Sequence, residues 1–211
     1  MSRYLNIILL LFVAQICVAQ MPIEKFSKLS SEEIAEETWG KAEKQNQDIP
    51  KEWNEPSAVY LNYANTYEIT KQSANKANVV QLLHRKVKVL DESSIEYFSE
   101  VYFPGRKKET GFERKKTSSG VRLIKKDGSV QNITTDNYIL NEDDNTKKLA
   151  VPGLEIGDVL EYFIYVVDVH VIYDARSPLL FDHFPIQGDY PVMNFKYSCL
   201  LYTSPSPRDR G

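Results

Sequence analysis

Acidic and histidine side chains cluster in one stretch near the end of the chain and could in principle bind a metal ion. Asp168 and His170 are two residues apart, which places them on the same face of a β-strand. Asp174, Asp182 and His183 follow in the same stretch. A structural zinc site needs four ligands at a tight spacing, and this stretch lacks such a pattern. We therefore predict no metal site and no cofactor, and we expect these side chains at strand ends.

A serine nucleophile activated by a histidine is the second chemistry to consider, with Ser93 or Ser118 combined with His84. Such a serine requires a strained turn, typically in a G-x-S-x-G motif, and the sequence has no such motif. A thiolate nucleophile is also unsupported, because Cys17 and Cys199 both fall in terminal segments outside the predicted domain. We predict no catalytic residue in this chain. A hydrolase would instead require a pocket with a perturbed histidine at its base.

Two charged segments predict surface loops rather than sites. Residues 141–145, NEDDN, have the acidic character of a calcium loop but lack its glycine and its distal glutamate, so they predict a solvated hairpin loop. Residues 105–116, GRKKETGFERKK, are rich in Lys and Arg, which is typical of a mobile surface loop on an acidic protein. Contact of the second segment with anionic lipid headgroups or acidic glycans is the alternative.

The composition is that of a soluble globular domain. The chain has 211 residues, of which 42% are hydrophobic and 26% are charged, and its formal net charge is −3. These values argue against a disordered chain, a collagen-like repeat and a multi-span membrane protein. The mildly acidic balance predicts no nucleic-acid partner. Three His and two Cys leave little material for a zinc cluster or a disulfide framework.

Residues 1–19 have the pattern of a secretory signal peptide. Arg3 supplies the positive charge, the apolar run IILLLFVAQICVA follows, and CVA places small side chains at positions −3 and −1 of a cleavage site. We predict cleavage between Ala19 and Gln20, and hence an exported protein. An uncleaved membrane anchor is one alternative, although the run is short for a span. Lipidation of Cys17 is another, but the preceding residues lack the usual pattern.

The C-terminal end of the chain is also predicted to be a separate segment. Residues 199–211, CLLYTSPSPRDRG, contain two Ser-Pro steps, which disfavour both helix and strand pairing. The segment resembles a translated sequencing adapter. We therefore predict that residues 199–211 are an artefact and that the domain before them is truncated; a disordered tail is the alternative.

Between these ends, one helix precedes many strands. Ser30 and Glu33 have capping-box spacing, and Ile34 and Trp39 fall on one apolar face, so we predict a helix over about residues 31–44. It belongs to a helical lead-in and linker, residues 20–56. Short alternating segments follow, without a further helical period.

Strand patterns continue from residue 57 to residue 198. VYLNYANTYEIT and VVQLLHRKVKVLD alternate, and IEYFSEVYF continues in the same style. Asp127 and Gly128 predict a hairpin in which both are central turn residues with positive φ. The segment from Gly157 to Val169 predicts a long central strand. Many short strands separated by turns indicate a mainly β fold, an antiparallel β-sandwich.

Four stretches in this order resemble a known family, domain of unknown function 3857. They are EPSAVYLNYANTYEI, HRKVKVLDESSIEYF (a strand pair), GVRLIKKDGSVQNI (a hairpin) and KKLAVPGLEIGDVLEYFIY (Pro-Gly, then Gly, then a long strand). This family is an exported module that precedes a transglutaminase-like domain in envelope proteins of the Bacteroidetes type. The resemblance covers about residues 55–198.

The resemblance implies an immunoglobulin-like β-sandwich that supports a downstream papain-fold domain with a Cys–His–Asp arrangement. It implies a location in the periplasm or cell envelope of a Gram-negative bacterium. The family has no established catalytic residues in this module, so none is carried over to this chain. A stand-alone module that binds an envelope glycan or peptide is the alternative, and it predicts a cluster of exposed aromatic side chains on one sheet face.

Overall fold

The computed structural model describes most of the predicted domain and little of the two ends. No helix in this described part of the chain is long and apolar enough to cross a membrane. The predicted signal peptide, with Ala19 and Gln20, lies outside it. The residues described are 30–39, 49–53, 55–104, 108–109, 112–141, 146–171 and 188–202.

Strands dominate these residues, as predicted. Helix α1 spans Ser31–Trp39, helix α2 spans Glu92–Phe98, and a 3₁₀ turn spans Lys51–Trp53. The strands are β1 (Ala58–Ser73), β2 (Lys76–Val89), β3 (Glu100–Pro104), β4 (Lys108–Glu109), β5 (Phe112–Ile124), β6 (Val130–Ile133), β7 (Ile139–Asn141), β8 (Thr146–Ala150), β9 (Val159–Val171) and β10 (Phe195–Tyr202).

The strands form two packed sheets, which confirms the predicted β-sandwich. The larger sheet has the order β10-β1-β2-β9-β5-β4, with β6 also paired to β5, and the smaller sheet has the order β3-β8-β7. Neighbouring strands are antiparallel except β10, which runs parallel to β1. The predicted central strand is β9, which pairs with β2 on one side and β5 on the other. It begins two residues after Gly157.

Each face of the larger sheet is covered by a different element. One face packs against the smaller sheet and α2 through a core to which Leu160 and Val87 contribute from the larger sheet and Val101 and Leu149 from the smaller one. The opposite face packs against α1, where Ile34 is fully buried against side chains of β2 and β9. We call the face that carries α1 the helix face.

The start of α1 confirms the predicted capping box. The backbone N–H of Ser30 donates to the Glu33 carboxylate at 2.7 Å, and the backbone N–H of Glu33 donates to the Ser30 hydroxyl at 3.2 Å. These two bonds satisfy N–H groups that a helix N-terminus otherwise leaves open. The predicted continuation to residue 44 lies outside the described residues. Near the end of α1, the Trp39 ring meets the edge of Phe163 with centroids 5.4 Å apart.

The structure corrects the prediction that IEYFSEVYF is a strand throughout. Its first part is helix α2, because the Asp91 side chain accepts from the backbone N–H of Ser94 and caps the helix. Ile95 and Phe98, three residues apart, then pack against the core. Only the second part, β3, is a strand. An Asp followed by a short run with apolar side chains three apart is a helix signal that the strand-like composition concealed.

Strand β1 also departs from simple alternation. The pairing of β1 with β2 shifts register between Tyr60 and Asn62, so Leu61 is an extra residue. The shift places Tyr60 on the same face as Tyr63, where their rings meet edge-on at 5.2 Å. The alternation predicted for VYLNYANTYEIT places Val59, Leu61 and Tyr63 on one face. That prediction is wrong beyond the bulge, where Tyr63 lies on the other face.

The hairpin predicted at Asp127 and Gly128 exists, but its turn is shifted by one residue. The backbone N–H of Gly128 donates to the carbonyl of Lys125 at 2.8 Å, so the central residues are Lys126 and Asp127. Gly128 follows them with φ at +86°. The side chain of Asp127 accepts from the backbone N–H of Ser129 at 2.8 Å and stabilises this turn.

The Pro-Gly and Gly-Asp signature before β9 forms a compact turn with a buried carboxylate. Asp158 is 1% exposed, and its carboxylate accepts from the Lys125 ammonium at 2.5 Å and from the backbone N–H of Glu155 at 2.9 Å. Gly153 and Gly157 both have positive φ, at +76° and +92°. The spacing of this signature therefore follows from the turn geometry, since a left-handed backbone favours glycine.

Two further segments differ from expectation in their backbone. Within the basic segment 105–116, β4 pairs with the start of β5, so this part is a hairpin rather than an irregular loop. Strand β10 continues through Cys199 to Tyr202, past the predicted domain end at Ser198, in register with β1. The adapter origin of residues 199–211 stays a prediction.

Gly120 provides a stability prediction. A Cβ at this position of β5 would lie 2.4 Å from Phe163 and 2.9 Å from Trp39. We expect Gly120→Ala to lower the free energy of unfolding by about 2 kcal/mol, because two packed aromatic rings must move. Gly188→Ala is the control, since its Cβ meets nothing within 4 Å. Urea unfolding followed by tryptophan fluorescence measures both, and equal stabilities of the two variants would contradict this packing.

Candidate functional site

A polar groove lies on the helix face, between α1 and the strands β2, β1 and β10. Its volume is about 540 Å³, within the usual range for ligand clefts. Side chains from four segments line it, and none of them is Phe, Tyr or Trp. The lining residues are Glu37, Thr38, Leu61, Asn62, Ala64, Thr66, Leu82, His84, Lys86, Asn194 and Lys196.

Strand pairing determines which side chains reach the groove. Ala64 of β1 pairs with His84 of β2 and with Lys196 of β10, so these three residues form one row across the sheet. Asn62 pairs with Lys86 in the next row. The bulge at Leu61 lets two consecutive β1 residues, Leu61 and Asn62, line the groove together, which strict alternation would forbid.

His84 at the groove is held on both ring nitrogens. Its Nε2 lies 2.8 Å from a carboxylate oxygen of Glu161, and its Nδ1 lies 3.2 Å from the amide nitrogen of Asn62. A carboxylate only accepts, so Nε2 carries the proton and Nδ1 accepts from the Asn62 amide. The ring therefore has no nitrogen left to deprotonate a nucleophile in this arrangement.

Behind His84 lies a buried charge cluster, which we define as His84, Lys86, Arg122 and Glu161. Glu161 is fully buried in β9. The Nε of Arg122 donates to one of its carboxylate oxygens at 2.8 Å, and Nη2 lies 2.7 Å from the same oxygen. The guanidinium of Arg122 also packs over the Trp39 ring, 4.6 Å from its centroid. The cluster thus joins β2, β5 and β9 and connects them to α1.

The charges in the cluster oppose the effect of burial on the pKa of Glu161. Burial alone would raise the pKa of Glu161, but the hydrogen bond from His84 and the positive charge of Arg122 outweigh it and lower that pKa. Glu161 is therefore ionised in the folded protein. Burial lowers the pKa of Lys86, an effect that Glu161 opposes and Arg122 reinforces. Lys86 is 3% exposed and lies where the cluster meets the groove.

A second buried glutamate on the helix face behaves in the opposite way. Glu68 of β1 is 5% exposed, and one of its carboxylate oxygens has no hydrogen-bond partner among the described residues. Burial raises the pKa of Glu68. Glu68 therefore provides a matched comparison for Glu161, because the two share a side chain and a face but differ in their partners.

The two serines that were considered as nucleophiles have hydrogen-bond partners other than His84. The Ser93 hydroxyl donates to Ser57 at 3.2 Å, and the Ser118 hydroxyl donates to Ser31 at 2.8 Å. Neither serine is bonded to His84, whose partners are described above.

Only two of the five acidic and histidine residues that were considered as metal ligands lie within the described residues. Asp168 and His170 lie on β9 and share a face, as predicted, but this face is opposite to Glu161 and the groove. Burial lowers the pKa of His170, and Asp168 opposes the effect. Asp174, Asp182 and His183 lie outside the described residues. Within the described part of the chain, no group of three or more His, Cys, Asp or Glu side chains could hold a metal ion.

Aromatic side chains gather on the face opposite to the groove. Tyr97, which is 58% exposed, contacts Tyr190 with ring centroids 5.5 Å apart. The Tyr63 ring stacks on Phe195 at 5.9 Å and lies under the Arg85 guanidinium. Two strand tyrosines face the interior, since Tyr67 and Tyr165 are at most 2% exposed.

Sequence reasoning missed the charge cluster, although a signal for it was present. Glu161 interrupts the otherwise apolar run VLEYFIYVV, which was predicted as a central strand. A charged side chain in a central strand must be paired if it is buried. The identity of its partners, Arg122 and His84, depends on strand register and could not be read from the sequence.

Comparisons with known proteins show distant structural similarity only. No protein-family model matches the chain, and no curated protein matches it. The fold is similar to the crystal structure of a "putative protease" from Parabacteroides distasonis, with a TM-score of 0.46 and 14% sequence identity over 69% of this chain. The chain spans 29% of the length of that protein. At this identity and TM-score, the similarity identifies no activity for this chain.

The charge cluster leads to a paired stability prediction. We expect Glu161→Gln to lower the free energy of unfolding by about 3 kcal/mol, because Arg122 and Lys86 would remain buried without their countercharge. Glu68→Gln, the same change on the same face, should leave stability at pH 7 unchanged or raise it, because it removes a poorly solvated charge. Urea unfolding at pH 7 compares them. Equal losses in both variants would contradict the assigned pairing.

The pH dependence of stability tests the same assignment independently. The pKa of Glu161 in the folded state lies below its ordinary value of 4.5, so its stabilising contribution is complete above that value. The contribution is lost as pH falls through the folded-state pKa. We expect the stability gap between the native chain and Glu161→Gln to narrow on acidification below about pH 4.5. A gap that stays constant would show that ionisation of Glu161 is not involved.

Proposed function

We propose that this chain is a non-catalytic, exported β-sandwich module that precedes and supports a transglutaminase-like, papain-fold domain. The non-catalytic part of the proposal is based on one observation. Both ring nitrogens of His84 are engaged, one with the Asn62 amide and the other with the Glu161 carboxylate. A general base needs its accepting nitrogen within reach of the proton that it removes, and here Nδ1 is engaged with the Asn62 amide. In this site the polar groups maintain the sheet and shape the groove.

The positions of the four resembling stretches support the interpretation of this part of the chain as one module. The first stretch contributes most of β1, and the second contributes the end of β2 together with α2. The third contributes the end of β5 and β6, and the fourth contributes β8 and the first half of β9. The stretches thus supply β1, β2, β9 and β5, which are contiguous in the larger sheet. They describe one structural unit, as expected of a module that is inherited as a whole.

A stand-alone envelope module that binds a glycan or peptide is the second candidate. The groove of about 540 Å³ with its amide and ammonium groups favours it. The two candidates share the sandwich and export, and they differ in what the gene encodes next. The gene sequence therefore distinguishes them.

Sequencing the genomic locus through codon 198 is the direct test. We expect the reading frame to continue past Ser198 into a domain that contains a Cys followed by spaced His and Asp codons. This result would make the module an accessory of an enzyme domain. A genomic frame that encodes CLLYTSPSPRDRG and then stops would overturn the adapter prediction and favour the stand-alone binding module.

Export gives a separate prediction, which concerns the mature N-terminus. When the chain is expressed with its native start in a Gram-negative host, intact-mass measurement of the periplasmic protein should show Gln20 as the first residue. Ala19→Arg should block processing, because a bulky charge replaces the small side chain at position −1. Gln20→Asn leaves positions −3 and −1 unchanged and is the control. Recovery of the unprocessed native chain from the membrane fraction would contradict a cleaved signal peptide.

A further inference from the structure

The groove on the helix face is lined chiefly by hydrogen-bond donors and by small apolar surfaces. Asn62 and Asn194 present side-chain amides, and the Asn194 amide donates to Asn62 at 3.4 Å. Leu61, Ala64 and Leu82 provide the apolar part of the lining. An amide offers both a donor and an acceptor, as a peptide group does. This combination suits a ligand with backbone amides and aliphatic contacts.

The groove is positive although the chain as a whole is negative. Lys86 and Lys196 line it, against one acidic residue in the lining, Glu37. The carboxylate of Glu161 is fully buried and is bonded by His84 and Arg122, so it is not presented to a ligand. On a chain with a net charge of −3, the groove is therefore a local reversal of sign that favours an anionic ligand.

The two lysines occupy different depths. Lys196 is exposed on β10, the edge strand, and shares a row with Ala64 and His84. Adjacent strands are about 4.8 Å apart, so Lys196 and His84 have backbones about 10 Å apart across the groove. Lys86 is almost wholly buried in the neighbouring row. An entering carboxylate would thus meet Lys196 first, with Lys86 at the groove floor.

The absence of Phe, Tyr and Trp among the lining residues favours a peptide over a sugar. Proteins commonly bind sugar rings on exposed aromatic faces, and the aromatic groups Tyr63, Tyr97 and Phe195 lie on the opposite face of the sheet. An extended peptide needs hydrogen-bonding groups and shallow aliphatic contacts instead, and the groove provides both.

We propose that the groove binds an extended acidic peptide segment. A carboxylate side chain of the peptide pairs with Lys196 and is drawn towards Lys86, while its backbone amides bond to Asn62 and Asn194. This inference names the ligand class of the module and does not require a companion domain. Its failure would leave the genomic test of the companion domain unaffected, so the two outcomes are distinguishable.

The experiment measures fluorescence anisotropy of a fluorescein-labelled, end-capped peptide of alternating Glu and Ala added to the full chain. The matched probe replaces each Glu with Gln. We expect saturable binding of the Glu peptide and binding of the Gln peptide that is weaker by about five-fold or more. Lys196→Gln should weaken binding of the Glu peptide about five-fold, and Lys196→Glu should weaken it further.

Lys71→Gln is the control variant, because it removes an exposed lysine charge from the same sheet at the far end of β1, outside the groove lining. It should bind the Glu peptide as the native chain does. Three results would overturn the proposal: no binding of the Glu peptide by folded protein at roughly 1 mM, an equal loss in Lys71→Gln and Lys196→Gln, or Lys196-dependent binding of an oligogalacturonate without binding of the peptide. The last result would assign the groove to an acidic glycan.

Discussion

The buried carboxylate of Glu161 constrains the strand pairing at the centre of this sandwich. Glu161 lies on the middle strand β9 with no exposure to solvent, and it stays ionised because His84 and Arg122 donate to its two oxygens. These partners come from the strands on either side, β2 and β5. A register slip of one residue would turn Glu161 towards the apolar core and separate it from both His84 and Arg122. The cluster therefore specifies strand register as well as charge balance.

The same cluster organises the helix face. The Trp39 ring packs against the Arg122 guanidinium and contacts Phe163. The position of α1 therefore depends on β5 and β9, the strands that carry Arg122 and Glu161. Gly120 leaves the space in which the two rings meet. The groove lies between this helix and strands β2, β1 and β10, so the position of its helical wall depends on the buried ion pair. His84 belongs to both structures, since its ring bonds to Glu161 in the cluster and to Asn62 in the groove lining.

Local sequence signals predicted several elements correctly and failed where two signals competed. The Ser30 and Glu33 capping box and the long apolar strand were readable, because each depends on neighbours within a few residues. Helix α2 was missed because β-favouring residues such as Ile95 and Tyr97 outweighed the cap at Asp91 in a reading based on composition. The bulge at Leu61 was missed because a strand pattern carries no mark of an extra residue in its pairing.

The sequence by itself determined a mainly β chain with one capped helix before it, and it supplied the residues from which a site could be built. Tertiary structure decided which of them meet. His84 and Glu161 are far apart in the chain, and only the pairing of β2 with β9 brings them within 2.8 Å. Sequence patterns report which face a side chain occupies along its own strand, whereas contact between strands depends on register and sheet order. For that reason the sequence offered Ser93 and Ser118 as the partners of His84 to consider, whereas the structure pairs His84 with Glu161.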